Sequence, residues 1–409
     1  MISSVTRGEK GIDEQAPDSL VSSSPTCYLP LMRIFQMLVT AYALSHIYIF
    51  ICLRRAFGGG FWQVPALVWL AVMALAWVYR WGTTPGPYQA YMDIVIYTWM
   101  GFLIFFCLGL ICADALAVLS RLLALLLPWA SLKKATALLA APRYVPVVIA
   151  LALAMFAFCA VQANSPNVRE ITITTKKLPP ATPPVRIAAV TDVHIVGLIG
   201  PVFLERMVSA INELQPDIFL SGGDLVDSNL AGRDQEAAIL RNIRARYGKF
   251  AVTGNHEAYR GVKMSLDFMK RSGLRVLRGE AVKAGPITLV GVDDRSLAGA
   301  FPEKTDVLAS LGKADGKQFT LLLNHQPLLS KDTIGLFDLQ FSGHTHGGQI
   351  WPGSIITKRR FGVDQGLTPL EQDNKKSLLY VSNGTGYWGP PVRFLAPPEI
   401  TFFIIKPEE

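Results

Sequence analysis

The chain has 409 residues, room for two or three domains. A mean hydropathy of +0.33 with 51% hydrophobic residues is high for a freely soluble enzyme. The net charge of +8 is shared about equally by the two parts described next, which argues against a polybasic nucleic-acid binder.

Ten of the 39 Lys/Arg and six of the 31 Asp/Glu lie in residues 1–165, so the first part is nearly uncharged and the second has ordinary globular composition. All five cysteines (Cys27, Cys52, Cys107, Cys112 and Cys159) fall in the first part. The second part can therefore hold neither a disulfide framework nor a thiolate zinc site.

In chain order, residues 1–26 read as a polar tail without the basic start and apolar run of a cleavable signal. Residues 27–163 read as a transmembrane helical domain of about four apolar stretches, at about 28–53, 61–80, 95–120 and 143–163. Each is near the roughly 20 residues a helix needs to cross a bilayer. Trp62, Trp81, Tyr97, Trp99, Trp129 and Tyr144 lie near their ends, as interfacial aromatics do. The third stretch carries Asp114, expected to face the bundle, and Arg121, expected to snorkel to the interface. Arg54 and Arg55 follow the first stretch, and Lys133, Lys134 and Arg143 follow the third. The positive-inside rule puts those loops in the cytoplasm and everything beyond residue 165 outside it, which in a bacterium is the periplasmic face of the inner membrane.

Residues 164–183 form a connector with a strand at 169–175, and residues 184–409 form the second domain. Strand-like runs at 185–191, 217–221, 249–253, 286–292, 318–324, 338–342, 377–382 and 399–405 alternate with helical patterns at about 201–214, 234–247, 260–272 and 303–312. That alternation predicts an α/β layered domain with functional residues at the carboxyl ends of strands.

Five of the six histidines fall in five short motifs at such ends: Thr191-Asp192-Val193-His194, Gly222-Gly223-Asp224-Leu225-Val226-Asp227, Gly254-Asn255-His256-Glu257, Asn324-His325 and Gly343-His344-Thr345-His346. Imidazole, carboxylate and amide oxygen together suit a hard-to-borderline metal. If the D-x-H and H-x-H pairs are extended, their alternate side chains share a face.

In this order the motifs resemble the calcineurin-like metallophosphoesterase superfamily, over roughly residues 184–405. With the apolar first part, and with Gly343-His344-Thr345-His346-Gly347-Gly348-Gln349-Ile350, the chain looks like the branch of transmembrane proteins with a metallophosphoesterase domain. The resemblance implies a four-layer αββα sandwich and two divalent ions, Mn, Fe or Zn. By its pattern Asp192, His194 and His346 hold the first ion, Asn255, His325 and His344 the second, and Asp224 bridges both. It implies that His256 protonates the leaving oxygen and that Asp227 pairs with it. Glu257 is expected to be structural.

Ser-Thr protein phosphatases of the superfamily continue the second motif as G-D-x-V-D-R-G, whereas this chain has Ser228-Asn229 after Asp227. The substrate-binding Arg is absent, which argues against protein phosphatase activity and leaves Arg260 or Arg393 as candidates to contact phosphate.

Asn383–Pro391 is either a turn or a pocket wall. Ile350–Ser354 with Lys358–Phe361 is either a solvated loop or an amphipathic membrane-facing one. The expected function is a membrane-anchored phosphohydrolase, a phosphodiesterase acting on a lipid or lipid-linked phosphoester through a hydroxide bridging the two metals. The lipid bilayer and a phosphoester are the expected partners, and no nucleic acid is. The alternatives are a nucleotide-lipid pyrophosphatase on the cytoplasmic face, or a sensor or scaffold with a structural metal site.

Overall fold

The computed structural model describes residues 28–82, 88–126, 144–195, 199–227 and 233–408. They divide into two units, one reaching to Val161 with Gly389–Pro391, the other Gln162–Trp388 with the chain from Val392.

The first unit holds helices α1 (Tyr28–Phe57), α2 (Gln63–Gly82), α3 (Gln89–Leu126) and most of α4 (Tyr144–Ala163). The expectation of four membrane spans is met in part. Among the described residues, two helical segments are long and apolar enough to cross a membrane, Tyr91–Leu126 and Tyr144–Ala163. The apolar part of α2, Gln63–Tyr79, falls short of the required length. The middle of α1 carries Thr40, Ser45 and His46. Apolar side chains such as Leu122, Leu125, Leu151 and Phe158 point outward, while polar groups pair inside. Tyr48 of α1 and Tyr144 of α4 each donate a hydroxyl to Asp114 of α3, at 2.8 Å. Trp99 Nε1 donates to His46 Nε2 at 3.0 Å. Of the predicted basic loop residues, Lys133, Lys134 and Arg143 lie outside the described residues, as do Trp129 and the polar tail.

The second unit is α/β, with two six-stranded sheets. Sheet one runs β1 (Asn167–Thr175), β12 (Glu399–Pro407), β2 (Val185–Val190), β3 (Ile218–Ser221), β4 (Lys249–Ala251), β5 (Arg275–Val276). From β2 to β5 it is parallel. Sheet two runs β10 (Gly366–Gln372), β11 (Lys375–Val381), β9 (Leu339–Ser342), β8 (Phe319–Leu323), β7 (Ile287–Gly291), β6 (Glu280–Ala284).

Alternation along the strands separates the faces. Ile187, Leu220, Leu321, Phe341 and Phe403 join one core shared by both sheets. Ala188, Val190 and Phe219 point the other way, onto Leu204, Met207 and Ile211 of α5 (Pro201–Glu213) and onto Phe268 of α8 (Val262–Arg271). The outer face of sheet two puts Val290 and Leu322 against Leu311 of α10 (Val307–Leu311). The helix expected over 303–312 is broken at Asp306, whose carboxylate accepts the amide of Ala309 and starts α10. Between them lie α6 (Asp234–Arg241), α7 (Asn255–Arg260) and α9 (Pro302–Thr305). The segment read as a loop after Ile350 contains a helix, α11 (Gly353–Phe361).

Candidate metal centre

Parallel strands bring the motifs to one edge of the sandwich. Asp192 follows β2, Asp224 follows β3, Asn255 follows β4, His325 follows β8 and His344 follows β9. Strand ends that share a direction deliver their loops to one place, which is why such sheets carry sites there.

The backbone at these loops is not extended. Asp192, His194, Asp224, His344 and His346 all have left-handed φ, between 49° and 68°. The expectation that D-x-H and H-x-H present alternate side chains from extended chain is therefore corrected. Each pair turns sharply as it leaves its strand, and the turn aims both side chains inward. Backbone hydrogen bonds hold the turns: Asp192 N to Gly223 O and His194 N to Asp224 O, both at 3.0 Å. Carboxylates fix the neighbouring loops, with His344 N on Asp192 at 3.0 Å and His256 N on Asp224 Oδ1 at 2.8 Å. A Cβ added at Gly254 or Gly343 would overlap the Asp224 or Asp192 carboxylate, so only glycine permits this approach.

Two clusters result. The ligand atoms of Asp192, His194 and His346 gather within 4.8 Å, and so do those of Asp224, His325 and His344. His194 Nε2 and His346 Nε2 are 3.1 Å apart. Two ligands at about 2.1 Å from one ion sit about 3.0–3.4 Å from each other, so that spacing fits a shared cation. Asp224 Oδ2 lies 3.1 Å from His325 Nε2 and 3.9 Å from His194 Nε2, between the clusters. His325 Nδ1 is 2.9 Å from Gly222 O and donates to it, which leaves Nε2 for a metal.

Among the buried atoms without a hydrogen-bond partner are His194 Nδ1 and Asn255 Oδ1. Native interiors rarely leave such atoms unpaired unless an ion or water belongs there. The residues present therefore fit divalent metal binding, by donor chemistry, spacing and the orphaned amide oxygen of Asn255 together.

Burial, reinforced by His256, lowers the His194 pKa to about 3. Burial with His325 beside it lowers His344 to about 4, and burial with the Arg393 charge lowers His346 well below the usual range. These three imidazoles stay neutral, the form that offers a lone pair. Burial also raises Asp192 to about 6, against the pull of His325. Without a metal, burial opposes a charge on His325 but the Asp224 carboxylate outweighs it and raises the pKa, so a cation bound at Nε2 would take the place of a proton. Burial likewise opposes the Asp224 charge, yet His325 and His256 hold its pKa low.

His256 belongs to a third group with His194 and Asp227. Its Nδ1 makes a short hydrogen bond to Asp227 Oδ1. Burial disfavours its charge, yet Asp224 and Asp227 together raise its pKa to about 9. Glu257 is wholly buried and accepts the backbone N–H of Asp224, Leu225, Val226 and Gly254. It ties the second motif to the third; burial and Asp224 push its pKa up to about 7, against the backbone donors.

Arg393 does not reach toward a substrate. It is fully buried, donating to the carbonyls of His346 and Asn383 at 2.7 Å and of Gly386 at 3.0 Å, with Nη2 3.2 Å from His346 Nδ1. Burial brings its pKa down only to about 10, so it stays charged. It clamps the H-x-H turn to the 383–386 turn. The Arg260 side chain lies outside the described residues. Two aromatic contacts carry no signal in the sequence. Trp388 stands edge-on to His256 with ring centres 5.8 Å apart, and Phe361 edge-on to His344 at 5.4 Å.

The calcineurin-like phosphoesterase family profile matches residues 185–348. A protein of Aquifex aeolicus, named an uncharacterized metallophosphoesterase, is 38% identical over 247 residues, 59% of this chain and 92% of that one. One from Helicobacter pylori, named in the same way, is 36% identical over 59% of this chain and 65% of its own. The Danio rerio transmembrane protein with metallophosphoesterase domain is 31% identical, over 60% of this chain and 58% of its own. The matched stretch thus spans less than two thirds of the latter two proteins. The chain belongs to the calcineurin-like phosphoesterase family and is a metal-dependent phosphoesterase. Its apolar helices, and a relative named as a transmembrane protein, associate it with a membrane.

Proposed function

We propose, from that family membership, that the chain is a membrane-anchored phosphodiesterase with two divalent ions, acting on a lipid or lipid-linked phosphoester from the extracytoplasmic side. Asp192, His194 and His346 would hold one ion, Asn255, His325 and His344 the other, and Asp224 both. The observation that carries this reading is the Asp224 carboxylate lying between two separate ligand clusters. When bound, the ions neutralise phosphate charge and lower the pKa of a water nucleophile. The chain's own contribution is a proton. Asp227 holds His256 Nδ1 by its short hydrogen bond, which leaves Nε2 to serve the leaving oxygen. Anchoring favours a lipid-borne ester by raising its concentration at the site.

The test uses the purified full chain stripped with a chelator and reloaded with manganese, iron or zinc. Metal content should reach two ions per chain, and bis-nitrophenyl phosphate should turn over only when reloaded. Asp224→Asn should lose both ions and more than about 100-fold in kcat/KM, since even partners outside the ligand set cost 10–100-fold. A folded chain that binds only trace metal would sink the reading. Alkaline phosphatase fused after residue 170 should be active; a silent fusion would move the catalytic unit to the cytoplasm.

A further inference from the structure

The segment joining the H-x-H turn to β10 carries a surface that the chemistry does not use. After His346 the backbone runs beside residues 393–395, with Trp351 N donating to Phe394 O at 3.1 Å and an isolated bridge pairing Ile350 with Phe394. The Gln349 side chain meets both backbone groups of Trp388, its amide nitrogen donating to Trp388 O at 2.8 Å and its oxygen accepting Trp388 N at 3.0 Å. These pairings set three exposed apolar side chains on adjoining backbone: Trp351 at 48%, Trp388 at 41% and Leu395 at 66% exposure. Helix α11 follows with Ile355 and Ile356 exposed at 60% and 61%. Its last turn is Lys358, Arg359 and Arg360, all exposed. Only its end turns inward, where Phe361 is buried against His344.

Five large apolar side chains in water beside three consecutive cations make a poor solvated loop and a good interfacial one. Tryptophan and isoleucine suit the acyl boundary, while lysine and arginine suit headgroup phosphates. The surface is continuous with the candidate centre at two points, Trp388 on His256 and Phe361 on His344. We propose that Trp351, Trp388, Leu395 and α11 form a docking face for an anionic bilayer surface, which sets the mouth of the metal centre against lipid headgroups. The inference rests on the membrane-anchored reading above and adds the face by which the catalytic unit meets the bilayer. The basic turn supplies the charge complementarity, each cation near an anionic surface being worth about fivefold in partitioning.

The experiment reconstitutes the full chain in bilayer discs of phosphatidylcholine, with or without about 30% phosphatidylglycerol, and follows hydrogen exchange in the peptide covering 351–361. Exchange should slow at least tenfold in the anionic discs relative to neutral ones. K358E/R359E/R360E should abolish the lipid dependence, and Ile355→Ser with Ile356→Ser should abolish protection in both discs. Turnover of bis-nitrophenyl phosphate, measured on the same samples, separates the outcomes. Normal turnover with equal exchange in both discs and in detergent overturns the docking face and leaves the phosphodiesterase reading standing. Protection that follows protein concentration instead of lipid charge overturns it in favour of a second copy of the chain. Loss of turnover in the unmodified chain, with lipid-dependent protection retained, sinks the catalytic reading and leaves the docking face standing.

Discussion

The two units use their buried polar side chains differently. Within the helical unit, Asp114 is met by two tyrosine hydroxyls from two other helices, and His46 is bonded at both ring nitrogens. Within the α/β unit, His194 Nδ1 and Asn255 Oδ1 are buried without a hydrogen-bond partner. A satisfied buried network fastens helices together and asks for no further partner. An unsatisfied one costs about 1–3 kcal/mol per atom and marks where something else belongs. Trp62 Nε1 in the helical unit and Gln340 Oε1 in the α/β unit also lack a partner, so an unmade bond marks a site only where ligand atoms gather beside it.

The sharpest way to break this comparison is at His256, which sits among the candidate ligands but has its partner in Asp227. His256→Ala should leave metal content intact and lower kcat by about 10²–10⁴-fold for esters of poor leaving groups, with a smaller loss for nitrophenolate. Elemental analysis alongside kinetics checks it; lost metal would make His256 a ligand.

Arg393 comes next. Arg393→Met removes a buried cation that holds three carbonyls across two turns. Metal affinity should fall 10–100-fold, as for other groups that orient a ligand, and thermal stability should fall with it. Unchanged affinity would show that the H-x-H turn holds itself.

The Asp227–His256 pair makes a smaller, pH-dependent contribution in chelator-stripped protein. Its folded pKa of about 9 lies above the ordinary 6.5. The stability it contributes is therefore full below pH about 6.5 and lost as pH rises through about 9. Melting curves should show the gap between the parent and Asp227→Asn narrowing over that window. A gap that widens with pH would reverse the sign.

The smallest effect is expected at Asp114→Asn. One tyrosine hydroxyl must turn to accept from the new amide, costing about 1 kcal/mol. Turnover of a soluble ester should not change. A tenfold loss there would mean that the satisfied network also serves the chemistry.

How far the sequence could be read follows the same physics. The position of the candidate donors was legible because they follow apolar runs that read as buried strands, as Asp192 follows Val185–Val190, while their division between ions is what the family resemblance implies. The three strands missed, β5, β6 and β10, all lie at sheet edges. There a strand can be two residues long, like Arg275–Val276, or carry a proline, like Pro369 in β10. Helix α11 was read as loop because Trp351-Pro352-Gly353 signals a turn and its single buried residue, Phe361, leaves no periodic apolar stripe. Arg393 was misread as a phosphate contact because an arginine's partners, here three carbonyls from distant turns, exist only once the chain has folded. The left-handed turns at the ligands were equally invisible, since even aspartate and histidine, which are enriched there, adopt that conformation only in a minority of cases.

Those turns carry a cost in stability. Of the ten non-glycine residues at positive φ among the described residues, five are candidate ligands, and each such conformation costs up to roughly 1–2 kcal/mol. The fold tolerates them for what the centre does. Exchanging His194 for glycine would relieve the backbone but leave a cavity where the buried ring was. The placement of the candidate donors thus draws on the stability of the rest of the fold.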